Sequence, residues 1–172
     1  MINLNNFIQE KLKLNKDIDV QEYKYFPKDK KELQEILKER LKEDENANLN
    51  DIDVSNITDM DELFSGLEPH NIDISKWNVS NVNNMNSVFF DCEDLDCDIS
   101  EWDVSNVENM NYTFYNCINF YCDLSKWDVN KVRRWDGVFG NCKMNRYANF
   151  KPKFNLKYLK LKPKFNLKNL KH

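Results

Sequence analysis

Apolar and polar positions recur along the chain with a period of 25 residues. The segment DVSNITDMDELF (53–64) returns as NVSNVNNMNSVF (78–89), DVSNVENMNYTF (103–114) and DVNKVRRWDGVF (128–139). Self-similarity at a period of roughly 20–50 residues is typical of proteins built from stacked repeats. Because one unit cannot bury its apolar face alone, the pattern predicts four units that stack on one another.

Alignment of the four copies separates positions that stay apolar from positions that vary. The apolar columns are Leu49/Ile74/Ile99/Leu124, Ile52/Trp77/Trp102/Trp127, Val54/Val79/Val104/Val129, Ile57/Val82/Val107/Val132, Met60/Met85/Met110/Trp135, Phe64/Phe89/Phe114/Phe139 and Leu67/Cys92/Cys117/Cys142. These columns predict the core. A chain that is 41% apolar and 13% aromatic has enough apolar surface to form one, which excludes wholesale disorder.

The spacing inside one unit predicts a strand followed by a helical turn. Ile74, Trp77, Val79 and Val82 have the spacing of the strand segment of leucine-rich repeats, which places a short strand near Trp77–Val79. Asn83 or Asn84 can then cap a turn that places Met85, Val88, Phe89 and Cys92 on one face. We therefore expect an α/β repeat solenoid, leucine-rich-repeat-like, with four coils, short parallel strands and short helical turns.

The segments that flank the repeats predict a cap and a tail. Residues 1–14 carry apolar residues at helical spacing, residues 17–26 are extended, and Asp29 can N-cap a second helix. This second helix carries Leu33, Ile36, Leu37 and Leu41. The predicted organisation is an N-terminal cap (1–48), a four-coil solenoid (49–148) and a basic C-terminal tail (149–172).

The W-[DN]-V-S-N-V-x-N-M cores at Trp77–Met85 and Trp102–Met110, each followed by Phe89 or Phe114 and then by Cys92 or Cys117, resemble a known repeat. They are similar to the BspA-like bacterial surface-protein repeat, also called the mycoplasma-lipoprotein type. The resemblance covers residues 18–154. It implies a leucine-rich-repeat-like fold and a binding role in adhesion or other protein contacts. Similar leader-and-repeat chains without signals look like products of gut bacteria and their phages.

Two polar ladders have more than one interpretation. The five cysteines fall in the columns Cys92/Cys117/Cys142 and Cys97/Cys122. We expect structural free thiols, with disulfides or a metal site as alternatives, because Leu67 and Ile72 occupy the equivalent positions of the first unit. Asp53, Asp103 and Asp128 also share a column. Their expected role is to bond turn amides, and the alternatives are a surface that imitates nucleic-acid phosphates or a metal site.

The columns that vary are where binding to a partner can be encoded. They are Glu62/Ser87/Tyr112/Gly137, Ser65/Phe90/Tyr115/Gly140 and Asn71/Asp96/Tyr121/Arg146. The aromatic residues that cluster in the middle units are Phe90, Tyr112, Tyr115, Phe120 and Tyr121. Aromatic residues in polar surface columns are candidate interface anchors, and the alternative is that some of them join the core.

The charge is divided between an acidic body and a basic tail. Residues 143–172 contain ten Lys or Arg and no acidic residue, so the other 142 residues contain fifteen basic and 29 acidic side chains. The tail repeats KPKFNLKYLK (151–160) as KPKFNLKNLK (162–171). Lys151, Lys153, Lys162 and Lys164 can bind the acidic body, a second copy of the chain or an external acidic partner such as nucleic acid, or the tail can stay flexible.

These observations predict a non-enzymatic protein–protein interaction module whose partner is not identified by the sequence. The two histidines, His70 and His172, are in no catalytic arrangement, and no cofactor or metal is predicted. One alternative is a phage or mobile-element inhibitor that occupies a host nucleic-acid enzyme through the acidic face. Another is nucleic-acid binding through the tail. No signal peptide and no membrane span are recognised, so we expect a cytoplasmic protein without membrane contact.

Overall fold

A computed structural model describes residues 22–155. It contains one α-helix, α1 (Lys30–Glu43), and two 3₁₀ turns, Lys143–Arg146 and Ala148–Phe150. Between α1 and the first 3₁₀ turn the chain forms turns and isolated parallel bridges, most of which join equivalent positions 25 residues apart. We number the 25-residue units one to four from residue 49, so that the fourth ends at residue 148.

The predicted α/β repeat solenoid is wrong. Within residues 22–155 there is no β-strand and no sheet, and the single α-helix lies before the repeats rather than within them. The strand predicted near Trp77–Val79 consists of successive turns, in which the Trp77 amide donates to the Ile74 carbonyl at 3.1 Å and the Val82 amide donates to that of Val79 at 2.9 Å. Backbone amides that close turns in this way are not available to a sheet ladder.

The predicted helical turns are absent because alternate backbone amides of a unit donate to carbonyls of the next unit rather than to carbonyls of their own. The amides of Met85, Ser87 and Phe89 donate to the carbonyls of residues 109, 111 and 113 in the next unit, at 2.8–3.0 Å. Neighbouring amides bond locally, that of Asn86 to the Asn84 side chain at 3.2 Å and that of Phe90 to the Ser87 carbonyl at 3.1 Å. Residues of one column also have left-handed backbone, namely Glu62, Ser87, Tyr112 and Gly137 with φ between 53° and 59°. A left-handed residue interrupts a right-handed helix, so the apolar residues at helical spacing lie in turns instead of in a helix.

Helix α1 covers the start of the repeats, and its ends follow from its sequence. Asp29 is the N-cap, and its carboxylate accepts from the Glu32 amide at 2.9 Å. The apolar face buries Leu33, Leu37 and Leu41, in agreement with the sequence pattern. The Arg40 guanidinium holds α1 in place, because it donates to Asp51 at 2.9 Å and to the Asn48 carbonyl at 2.7 Å.

Three tryptophans hydrogen-bond the second, third and fourth units to the unit before each of them. The indole N–H groups of Trp77, Trp102 and Trp127 donate to carbonyls 28 residues earlier, those of Leu49, Ile74 and Ile99, at 2.9–3.1 Å. The tryptophans are only 4–5% exposed. Each ring therefore combines apolar burial with a bond to a carbonyl that also accepts from a turn amide of its own unit.

The phenylalanine column runs beside the tryptophans through the centre of the stack. Phe64 and Phe89 have ring centroids 5.1 Å apart, and the next two pairs along the column are each 5.5 Å apart, with interplanar angles of at most 18°. Such nearly parallel rings require that successive units keep the same rotation. The presence of phenylalanine at this position in every unit therefore keeps the spacing and the orientation of successive units constant.

All five cysteines are free and buried. The thiols of Cys92 and Cys117 donate to the carbonyls of Phe64 and Phe89 at 3.5 and 2.9 Å. Burial raises the pKa of Cys92 to about 12 and that of Cys122 to about 11, and it raises the pKa of Cys117 as well. The thiols are thus neutral members of the core.

Two predictions extend beyond the described part of the chain. The first predicted helix, residues 1–14, lies outside it, as does the tail from residue 156. The boundaries at residues 48 and 148 stay a prediction.

Replacement of Trp102 by Phe should lower the free energy of unfolding by about 1 kcal/mol, because the indole bond to the Ile74 carbonyl is lost while that carbonyl keeps the Trp77 amide as a donor and most ring packing stays. Urea denaturation measures this loss. Lys126→Gln is the control, since its side chain is 78% exposed, and it should change stability by less than about 0.5 kcal/mol. Equal effects of both substitutions would contradict a role for the indole bond.

Stability should fall as the pH rises above about 8.5, the ordinary pKa of a thiol in an unfolded chain. Above that pH the unfolded chain loses thiol protons that the buried thiols keep, so the folded state binds more protons and its advantage decreases. Each thiol contributes at most about 1.4 kcal/mol per pH unit. Urea denaturation at several pH values should show a shallower decline for Cys92→Ala than for the wild type, and equal slopes would contradict this.

Candidate protein-interaction surface

One edge of the stack carries most of the positions that vary between units. We call it the variable edge, and it comprises residues 65–71, 90–96, 115–121 and 140–146. Its backbone repeats: Gly66, Asp91, Asn116 and Asn141 all have left-handed φ angles between 47° and 73°. Glycine and Asn/Asp tolerate this conformation best, so the turn is kept while the side chains around it change.

Hydrogen bonds hold adjacent turns of the variable edge in register. The Asp96 amide donates to the His70 carbonyl at 2.8 Å, and the Asn119 amide donates to the Glu93 carbonyl at 3.0 Å. The Asn119 side chain also donates to the Asp94 carboxylate at 2.8 Å. Side chains at equivalent positions therefore lie in rows that run along the stack.

The third unit places large apolar side chains on the surface. Tyr115, Ile118 and Tyr121 are 36%, 44% and 41% exposed, and Tyr147 of the fourth unit is 39% exposed. Tyr121 contacts Tyr147 edge to face at 4.8 Å, and the Lys143 ammonium lies 5.3 Å from the Tyr121 ring centroid. An exposed aromatic cluster with a cation beside it is the composition of a protein-binding anchor.

The predicted anchors divide into exposed, half-buried and buried residues. Phe90 stacks on Tyr115 with ring centroids 5.3 Å apart, and Tyr112 meets Tyr115 edge to face at 5.9 Å. Phe120, by contrast, is fully buried and stacks on Phe114 at 4.5 Å. Phe120 therefore belongs to the core and offers a partner no surface, while Tyr115 and Tyr121 remain available.

Two glycines of the fourth unit leave room for two tyrosine rings of the third unit. A Cβ atom built on Gly140 would lie 2.5 Å from Cδ2 of Tyr115, and one built on Gly137 would lie 2.7 Å from Cδ1 of Tyr112. Both distances are below van der Waals contact. The absence of side chains at these two positions is what lets the rings of the third unit lie against the fourth.

The second unit makes one end of the variable edge acidic. Asp91, Glu93, Asp94 and Glu68 line an open groove of about 460 Å³ together with His70. The two ring nitrogens of His70 lie 3.5 Å from a Glu45 oxygen and 3.6 Å from an Asp94 oxygen. In the part of the chain from residue 22 to residue 155, no group of three or more His, Cys, Asp or Glu is arranged to hold a metal ion.

The fourth unit makes the other end basic. Lys143, Arg146 and Tyr147 line a groove of about 510 Å³ with Ile118 and three asparagines. No acidic side chain lines this groove. Among residues 22–155, neither Lys143 nor Arg146 has an ion-pair partner.

The aspartates of the Asp53, Asp103 and Asp128 column bond turn amides, which is the role that the sequence favoured over an acidic binding face. Oδ1 of Asp53 accepts from the Ser55 amide at 2.9 Å, and Oδ1 of Asp103 and Asp128 accepts from the amides of residues 105 and 130 at 3.0 Å. The bonds from the Ser105 hydroxyl and amide lower the pKa of Asp103. This geometry gives the column a structural role within each turn.

The start of the basic tail packs on the last unit. The Lys151 ammonium donates to the Asn145 side chain at 3.0 Å and lies 5.5 Å from the Phe139 ring centroid. Phe154 stacks on Trp135 at 5.4 Å. Lys153 is exposed. Lys162 and Lys164 lie outside the described residues.

The sequence pattern did not identify one variable column of the candidate surface, namely Glu68/Glu93/Ile118/Lys143. All four residues are exposed on the variable edge. The aligned sequence does contain a sign of it, because this column changes from acidic to apolar to basic in the same alignment that identified the other variable columns. Alignment alone could not show that it shares one edge with Tyr115 and Tyr121.

The stacked units and their variable edge define a repeat protein. Residues 31–150 match the family described as "Mycoplasma protein of unknown function, DUF285", and the chain belongs to that family. No curated protein and no solved structure matches the chain. None of the helices described here is long and apolar enough to cross a membrane.

Substitution of Gly140 by Ala should lower the free energy of unfolding by about 1–3 kcal/mol, because the new methyl group overlaps the Tyr115 ring. In a Tyr115→Ala background the same substitution should cost much less, since the overlapping ring is gone. Urea denaturation of the two single variants and the double variant gives the coupling energy. A cost of Gly140→Ala that is the same in both backgrounds would show that the ring does not rest on Gly140.

Proposed function

We propose that the protein is a non-enzymatic protein–protein interaction module that binds its partner through the variable edge. The observation that carries the proposal is the exposure of Tyr115, Ile118 and Tyr121 on one unit, between an acidic unit and a basic one. Interface hot spots are enriched in Tyr, Trp and Arg that are flanked by polar residues, and this edge has that composition.

The third unit holds its aromatic side chains before any partner arrives. Tyr115 is fixed between Phe90, Tyr112 and the surface of Gly140, and Tyr121 contacts Tyr147 and Phe150. Side chains that are already ordered lose little conformational entropy on binding. The contacts therefore support a preorganised anchor.

The division between constant and variable columns also supports a binding role. The Trp, Phe and Cys columns are buried and contact the neighbouring units, so they belong to the core that holds the units together. The variable edge is held in register mainly by backbone bonds, with few side-chain bonds such as that of Asn119 to Asp94, so its exposed side chains can change. The assignment to BspA-like repeats, which stays part of this proposal, implies the same kind of role.

A photo-crosslinking residue, p-benzoylphenylalanine, at position 118 should capture the partner in cells that express the protein, because Ile118 is at the centre of the proposed anchor. The same residue at position 126 is the matched control, since Lys126 is exposed but lies outside the variable edge. Tyr115→Ala combined with Tyr121→Ala should reduce the crosslinked product at position 118 several-fold while the circular dichroism spectrum is unchanged. Equal capture from positions 118 and 126, or none from position 118, would contradict the proposal.

A further inference from the structure

The charges of the variable edge are ordered along the stack. Its segment in the second unit, residues 90–96, contains four acidic side chains and no basic one. The segment in the third unit, residues 115–121, contains no charged side chain, and the segment in the fourth unit, residues 140–146, contains Lys143 and Arg146. The edge therefore changes from acidic through apolar to basic over three successive units.

We propose that the variable edge binds a second copy of the same chain, in an antiparallel arrangement with two-fold symmetry about the third unit. The proposal rests on the proposed function, since it names the partner of that surface. A surface that is acidic at one end, apolar in the middle and basic at the other is complementary to itself after such a rotation.

The two-fold axis lies in the plane of the interface, across the direction of the stack. This rotation reverses the order of the units and keeps each column opposite itself. Glu93 then faces Lys143 of the second copy, and Asp96 faces Arg146 of the second copy, because these residues share columns. Ile118 and Tyr121 face their own equivalents at the centre, where their exposed apolar surface is removed from water.

The side chains that this arrangement requires are accessible and available. Glu93, Asp96, Lys143 and Arg146 are all exposed. Glu93 accepts one bond from the Asn116 side chain at 3.2 Å, which orients it without neutralising its charge. The Lys143 and Arg146 charges have no ion-pair partner in residues 22–155.

Charge excludes the other way of placing two such edges face to face. A two-fold axis parallel to the stack would put the second unit opposite its own copy, so that four acidic side chains would face four more. Like charges across an interface oppose association, and the antiparallel arrangement avoids this.

Sedimentation equilibrium of the full chain tests the proposal. The wild type should contain a species of twice the 20.7 kDa chain mass, and its dissociation constant should rise with salt because charged ends contribute to the contact. Glu93→Lys with Asp96→Lys makes the Glu93/Lys143 and Asp96/Arg146 columns basic at both ends, and Lys143→Glu with Arg146→Glu makes the same two columns acidic at both ends. Each double variant alone should dimerise at least about tenfold more weakly.

Mixing the two double variants should restore association, because every basic end then meets an acidic one. Lys162→Glu with Lys164→Glu is the matched control, since it makes the same charge change in the tail and should leave dimerisation unchanged. Circular dichroism establishes that each variant is folded, and Asp96→Lys alone, which keeps the Glu93–Asn116 bond, serves if the double variant is not.

Three results would overturn the homodimer. They are a wild type that stays monomeric up to about 0.5 mM at low salt, a mixture of the two double variants that does not associate, and a dimer that is lost with the tail variant instead. A monomeric protein that still crosslinks a different protein from position 118 would retain the proposed function and remove only this inference. A monomeric protein with no crosslink from position 118 would remove both.

Discussion

The register between consecutive units is the constraint on which the rest of the structure depends. Alternate amides of each turn segment donate to carbonyls 24 residues later, and the indoles of Trp77, Trp102 and Trp127 donate to carbonyls 28 residues earlier. The amide bonds satisfy backbone donors that would otherwise lack a partner, and the indole bonds give a second donor to carbonyls that already accept from a turn amide. They also hold the phenylalanine rings at 5.1–5.5 Å and nearly parallel, so hydrogen bonding and ring packing enforce the same spacing.

This register explains how the variable edge can exist. Its turns are positioned by backbone bonds and by left-handed residues such as Asp91 and Asn116, and they need few side-chain contacts of their own. The exposed side chains there can differ between units without cost to the core. One unit consequently presents tyrosines, its neighbour presents carboxylates, and the last presents cations, all in rows with fixed spacing.

Much of the core was predictable and much of the local structure was not. The columns of Val79, Phe89 and Trp102 are buried as predicted, because a residue type that repeats in every unit occupies the same environment each time. The helix that begins after Asp29 is also present, because its cap and its apolar spacing act within one segment. The strands and helical turns were predicted wrongly, because the spacing of Met85, Val88 and Phe89 suits a helix and a turn equally, and only the destination of each amide distinguishes them.

The sequence alone determined the period of 25, the buried columns and the positions that vary, since these depend only on which residue types recur. The tertiary structure decided which variable residues reach the surface. In the folded chain Phe120 is buried, and Tyr112 and Tyr115 pack against two glycines. Asp53 and Lys151 form local hydrogen bonds. The column of Glu93, Ile118 and Lys143 lies on the same edge as Tyr121. This proximity depends on the backbone conformation of each turn.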